Sequence, residues 1–175
     1  VDTEHSPVEL TDVVSQLRAI NTPGVSALVR PAWNDMVTIK RVLDQGAQTL
    51  LIPYVENADE ARTAVAHTRF PPRGVRGVSG SSRSSNYGLS SDYFTASERE
   101  LCVIVQIETL GALAQIEDIA LVDGVDAVFI GPSDLAASMG YLGNPMHPDV
   151  QAAIDDGFRR VKKIGKYAGY LTGNE

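Results

Sequence analysis

Cysteine is nearly absent from this chain: Cys102 is the single one among 175 residues. A lone thiol closes no internal disulfide, so the fold rests on packing, and a cytoplasmic location is the default expectation. Long apolar runs are absent as well. None approaches the roughly 20 residues of a membrane span, and no signal-peptide pattern opens the chain. Positive charge is scarce. There are 15 Lys and Arg against 22 Asp and Glu, a net charge of −7. That balance argues against a nucleic-acid surface, which needs a basic face. No glycine-rich loop of the dinucleotide or P-loop type occurs, so a nucleotide-binding doubly wound sheet loses ground. No lysine ends a candidate strand, which disfavours imine chemistry. Lys40, the nearest, lies mid-helix on a polar face. No Cys/His cluster suggests structural zinc.

What remains is an ordinary globular composition, 43% hydrophobic and 21% charged, long enough for one domain with a real core. Short apolar runs rich in β-branched residues predict strands at 26–30, 48–53, 101–107 and 125–130, with a weaker one at 167–171. Apolar residues at helical spacing predict helices at 8–20, 36–43, 58–68, 110–121 and 150–164. Strands alternating with helices imply a parallel sheet with covered faces. The fold class is α/β, and the expected architecture is a (β/α)8 TIM barrel. Residues 1–5 read as the exit of one more strand, which makes six. A full barrel has eight strands and typically about 250 residues, so the expectation is a single barrel domain over residues 1–175, cut at both ends. Residues 71–91 (PPRGVRGVSGSSRSSNYGLSS) have neither period. A loop of that length in a compact domain is read as a lid or substrate loop. Its Arg73, Arg76 and Arg83 suit an anionic ligand, or are simply solvated.

In parallel barrels the chemistry sits just past the C-terminal ends of the strands. Glu108 closes the run Leu101–Ile107, and Asp134 follows Val128-Phe-Ile-Gly-Pro-Ser. A carboxylate left unpaired at the end of a buried strand is costly. Two on successive strands suggest a shared cation, and carboxylates with open positions suit Mg²⁺ or Mn²⁺. Asp2, Glu4, His5, Arg30 and Gln106 occupy comparable places. Structural roles also fit each of these residues. Glu108 suits the start of the next helix, and Ser133 or Asp134 suits an N-cap. His5 suits a cap or an exposed surface, and Arg30 suits an ion pair. Trp33 fits either a place over the site or a plug at the rim. His67 and His147 read as non-functional surface residues.

The motifs Asp2-Thr-Glu-His-Ser-Pro7, Leu28-Val-Arg-Pro31, residues 42–53 (VLDQGAQTLLIP), Pro71-Pro-Arg-Gly-Val-Arg-Gly77, Val105-Gln-Ile-Glu108 and residues 128–135 (VFIGPSDL) run in order over nearly the whole chain. In them the chain resembles the HpcH/HpaI aldolases, divalent-metal-dependent class II pyruvate aldolases with a barrel fold. The likeness is to the branch acting on 4-hydroxy-2-oxo acids and 2-keto-3-deoxy sugar acids. The resemblance implies Glu108 and Asp134 as ligands of Mg²⁺, Mn²⁺ or Co²⁺. It implies that Gln106, Ser133 and Asp134 contact substrate, Ser133 through its main chain. It gives Arg30 the stabilisation of the transition state and a substrate contact, His5 the proton transfer, and Asp44 the task of raising the basicity of His5. The family more often has Ala at the position of Ser133. It also implies pyruvate and an aldehyde as the small-molecule partners, and a homo-oligomer, expected as a hexamer. Asp44 falls near the C-terminal end of its helix, toward the non-catalytic face, so it is expected to act across a subunit interface. A helix-end salt bridge is its structural alternative. An acyl-CoA lyase, an oxaloacetate decarboxylase and a non-catalytic binding barrel are the competing functional readings.

Overall fold

The computed structural model describes residues 1–21 and 24–173. Thr22, Pro23, Asn174 and Glu175 lie outside the described residues. The chain forms the expected alternation of helices and parallel strands. In order these are α1 (Leu10–Ile20), β1 (Leu28–Val29), α2 (Met36–Asp44), β2 (Thr49–Ile52) and α3 (Ala58–Thr68). After them come α4 (Tyr93–Ala96), β3 (Cys102–Ile107), α5 (Leu110–Ala114), α6 (Ile116–Ala120), β4 (Ala127–Ile130), α7 (Pro132–Ser138), α8 (Pro148–Lys163) and β5 (Tyr167–Tyr170). Among the described residues no helix is long and apolar enough to cross a membrane.

These elements fall into two compact units. The first joins Val1–Pro53 to Thr63–Val103. The second joins Tyr54–Arg62 to the chain from Ile104 onward. In the first unit β1 and β2 pair in parallel, Leu28 opposite Thr49 and Val29 opposite Leu50. The N-terminal residues extend this edge. Asp2 and Arg30 form an isolated parallel bridge, and Arg30 N–H donates to Val1 O at 2.8 Å. The expected extra strand is therefore a one-residue bridge. Apolar side chains of α1 (Val13, Leu17) and α2 (Ile39, Val42, Leu43) are buried, as are Val29, Leu50 and Ile52 of the strands. Full burial of each such side chain contributes about 1.5–3 kcal/mol.

In the second unit β4 lies between β3 and β5, parallel to both. The register sets Ile107 opposite Ile130, so the ends of β3 and β4 are level. Ile116 and Ile119 of α6 and Val150, Ile154 and Val161 of α8 are buried, as are Val105, Val128 and Ile130 of the strands. The single helix expected over 110–121 is two short ones. The break falls at Gln115, whose backbone (φ −109, ψ 17) leaves the helical region.

Segment 71–91 contains more structure than its composition implies. Arg83–Gly88 forms 3₁₀ turns around a kink at Ser85–Tyr87, and Ser85 is buried. The Ser85 hydroxyl donates to Ser82 O and accepts from Gly88 N–H, tying the turn to itself.

Candidate active site

Glu108 follows β3 directly and is 3% exposed. Its Oε1 accepts from Gln106 Nε2 at 2.9 Å, and its Oε2 accepts from the Tyr54 N–H at 2.9 Å. Gln106 is buried with it, and its main-chain carbonyl accepts from Val55 N–H at 3.1 Å. Tyr54 holds a positive φ of 55°, a conformation that a bulky L-residue adopts at a cost. That conformation accompanies the donation of its amide to Glu108. Opposite the carboxylate lies Gly131, just past β4. A Cβ there would sit 2.5 Å from Glu108 Oε1. The glycine is thus required by the carboxylate's position, not by its own backbone, whose φ is −82°.

Gly131 is the N-cap of α7, Pro132 occupies the first turn, and Asp134 lies in that turn too. Ser133 and Asp134 are exposed. The capping role considered for Ser133 and Asp134 is therefore filled by Gly131, with no side-chain cap bond. The helix-start role considered for Glu108 belongs to Thr109. The Thr109 hydroxyl accepts from Ala112 N–H at 3.1 Å and donates to the Glu56 carboxylate.

The donor set fits a divalent cation. One carboxylate is buried and held by two neutral donors. The other sits on the helix that begins at the glycine against which the first packs. Among the described residues no cluster of three or more His, Cys, Asp or Glu side chains is placed to hold a metal. A cation here would rest on two carboxylate residues and keep open positions, as hard ions that bind through substrate oxygens do.

The first unit carries a second constellation. Arg30 grips Asp2 with two bonds, Nε to Oδ1 at 2.9 Å and Nη2 to Oδ2 at 2.6 Å. Its Nη1 meets Glu4 Oε2 at 3.0 Å. The ion-pair role and the strand-end position are thus both realised at Arg30. Asp2 Oδ1 also accepts the N–H of Glu4 at 3.0 Å and of His5 at 3.4 Å, which shapes the loop that presents the histidine. The Arg30 guanidinium hydrogen-bonded to Asp2 holds its carboxyl at about 2, against an ordinary 3.8, with burial opposing. His5 is 63% exposed at its side chain, and its Nε2 lies 3.5 Å from Glu4 Oε2. It caps no helix, since α1 starts at Leu10 with Glu9 as its N-cap. Glu4, whose sequence context suggests no definite role, touches both Arg30 and His5.

Asp44 ends α2 and pairs with Arg76 at 2.8 Å. The loop arginines differ from one another, and Arg73 keeps 60% of its side chain exposed. Arg76 is buried against Asp44, Arg73 pairs with Glu98 at 2.8 Å, and Arg83 donates to Gln45 O at 2.6 Å. His147 caps α8, accepting from Asp149 N–H at 3.2 Å, and stacks on Tyr141. His67 lies half-buried on α3. Its pKa is pushed down by burial, with partial opposition from Asp35. Trp33 is half-exposed. Tyr54 and Gly131 escaped sequence reasoning as site residues. Gly131 stands in the Ile-Gly-Pro-Ser-Asp motif, and nothing in the sequence signals the backbone of Tyr54.

Parallel strands alternating with helices, a buried carboxylate and amide at the end of β3 in the second unit, and a His, an Arg and two acids after the N-terminal bridge and β1 in the first, are features of an α/β enzyme. Comparison with known proteins narrows this. A profile of the HpcH/HpaI aldolase/citrate lyase family matches residues 1–172. The chain is 56% identical over 172 residues to a hydroxypyruvate/pyruvate aldolase of Sagittula stellata, covering 98% of this chain and 68% of that protein. It is 51% identical over 176 residues to a 4-hydroxy-2-oxo-heptane-1,7-dioate aldolase of Salmonella dublin, of which it covers 67%. The crystal structure of a family protein from Burkholderia cenocepacia superposes with a TM-score of 0.95 at 40% identity, covering 99% of this chain and 70% of that one. The chain belongs to the HpcH/HpaI aldolase/citrate lyase family.

Proposed function

We propose that this chain is a divalent-metal-dependent aldolase that cleaves or forms 4-hydroxy-2-oxo acids, with pyruvate as one half and an aldehyde as the other. The observation that carries this reading is Glu108. It is a buried carboxylate fixed by Gln106 and Tyr54 and pressed on Gly131. Glu108 and Asp134 would hold the cation. When bound, that cation supplies Lewis acidity to a 2-oxo acid.

The chain's own groups account for the remaining chemistry. His5 accepts the C4 hydroxyl proton as the C3–C4 bond breaks, and the electrons of that bond pass into the pyruvate enolate. In the synthetic direction the proton returns to the new alkoxide. A histidine suits this exchange near neutral pH. Arg30, kept in place by Asp2 and Glu4, supplies fixed positive charge to the enolate oxygen. Gln106 and the main chain at Ser133 orient the substrate, and Asp44 raises the basicity of His5. The protein works as a homo-oligomer, and Trp33 and the 71–91 segment contribute to the choice of aldehyde.

The test is pyruvate release from 4-hydroxy-2-oxo acids, measured before and after EDTA treatment. Turnover should vanish on chelation and return with added Mg²⁺, Mn²⁺ or Co²⁺. Turnover indifferent to EDTA rejects the mechanism, and cation binding without turnover on any aldol substrate favours a binding protein.

A further inference from the structure

Arg76 is one of the most deeply buried side chains in the first unit, at 1% exposure, yet it comes from a glycine- and serine-rich loop. Several contacts fix it there. Its main-chain N–H donates to Arg69 O at 2.9 Å. The loop turns at Gly74, where a Cβ would lie 2.4 Å from Ala66 O. The guanidinium lies over the Phe70 ring, 4.5 Å from its centroid. Phe70 in turn meets Tyr93 and Phe94 edge-on. From this aromatic seat Nη2 donates to Asp44 Oδ1 at 2.8 Å and to the Tyr93 hydroxyl at 2.9 Å.

The geometry is one-sided. Asp44 is 22% exposed at its side chain, so its carboxylate reaches the surface. One oxygen is held from inside by Arg76. The other accepts no hydrogen bond among the described residues. Arg76 Nε is buried without a hydrogen-bond partner. If the only task were to fasten the loop to α2, a well-packed apolar pair would serve as well or better. A guanidinium in an aromatic seat does something an apolar contact does not: it fixes the rotamer of a carboxylate and leaves its outer oxygen available.

We propose that Arg76 is a positioning residue that acts through Asp44, holding its carboxylate so that the outer oxygen is presented to the histidine it serves. This rests on the reading of Asp44 as the group that raises the basicity of His5. Tyr93 shares Nη2 and steadies the guanidinium. Lysine at position 76 keeps the charge but loses the planar fork.

The experiment is a double-mutant cycle on turnover, with R76K made in the unchanged chain and in D44N. Wild-type turnover and its loss in D44N establish the underlying reading. If Arg76 works through Asp44, R76K lowers kcat about tenfold with KM within about twofold, and adds less than about twofold in the D44N background. Equal falls in both backgrounds, or a raised KM at unchanged kcat, overturn the proposal. A D44N enzyme as fast as the parent shows instead that the Asp44 assignment has failed, and the proposal falls with it. Circular dichroism and thermal midpoints report folding. If R76K does not fold, Y93F, which loosens the same guanidinium, is judged by the same criterion in the same two backgrounds.

Discussion

Glu108 illustrates how a single residue is placed. Its charge is buried, so its oxygens need partners, and two neutral donors supply them. Gly131 makes room for it, which yields a sharp expectation. The backbone at 131 has an ordinary negative φ, so alanine is conformationally acceptable there. Its methyl, however, would overlap Oε1. G131A should therefore leave the fold intact but displace the carboxylate, weakening Mn²⁺ binding about 10- to 100-fold, the scale typical of disturbed ligand support. Mn²⁺ titration followed by electron paramagnetic resonance, alongside circular dichroism, reads this directly. Unchanged affinity would remove Glu108 from the cation site. Asp2 offers a pH test. Its folded pKa of about 2 lies below the ordinary 3.8 because Arg30 hydrogen-bonds to it. A depressed carboxyl pKa contributes stability that is fully present above the unfolded value and is lost as pH falls through the folded one. The difference in thermal midpoint between the parent and D2N should be constant above about pH 5 and shrink between about pH 4 and pH 2. A difference that does not change over that interval contradicts the pairing.

Helix α2 shows how an element carries a site residue. At its start the Asp35 carboxylate accepts from Val37 N–H at 2.9 Å and Thr38 N–H at 3.0 Å. At its end stands Asp44. Loss of such a cap costs about 1 kcal/mol, so D35A should lower the unfolding free energy by that amount, read as a lower urea midpoint at unchanged m. An unchanged midpoint would mean the cap bonds contribute nothing. The apolar period that marks α2 also made it legible in the sequence, as did the β-branched runs of β2, β3 and β4. The carboxylates were legible for the same reason: Glu108 closes the run of β3, and Asp134 follows that of β4. What stayed hidden depends on distant partners or on backbone angles. In its loop Arg76 reads as a group for an anionic ligand or as a solvated one, because its neighbours are Gly, Val and Ser, whereas its pairing is with Asp44, 32 residues away in sequence. Glu4 stands among the strand-end candidates without a defined role until Arg30 comes beside it. The break at Gln115 leaves the apolar period intact on both sides, so periodicity read one helix where there are two.

At the scale of the whole molecule the proposed roles of His5 and Asp44 lead to a test of assembly. Both residues belong to the first unit, and no hydrogen bond or ion pair joins them among the described residues. His5 is exposed on the loop after the N-terminal bridge, while Asp44 ends α2, 22% exposed at its side chain, with one oxygen bonded to Arg76. The proposed pairing of His5 with Asp44 therefore calls for a test of whether a neighbouring subunit completes it. H5A should abolish turnover because the proton acceptor is gone, and D44A should reduce it severely because the imidazole is left a weak base. If the pair forms between subunits, oligomers that mix the two variants contain interfaces where an intact His5 meets an intact Asp44. Subunit exchange should then restore turnover, in proportion to the mixed species counted by native mass spectrometry. If the pair forms within one chain, every chain in the mixture still lacks one partner and nothing is regained. Mixed oligomers verified by mass yet as inactive as their parents would place Asp44 and His5 in the same subunit's chemistry or separate them altogether. Recovery would make the assembly itself part of the active site.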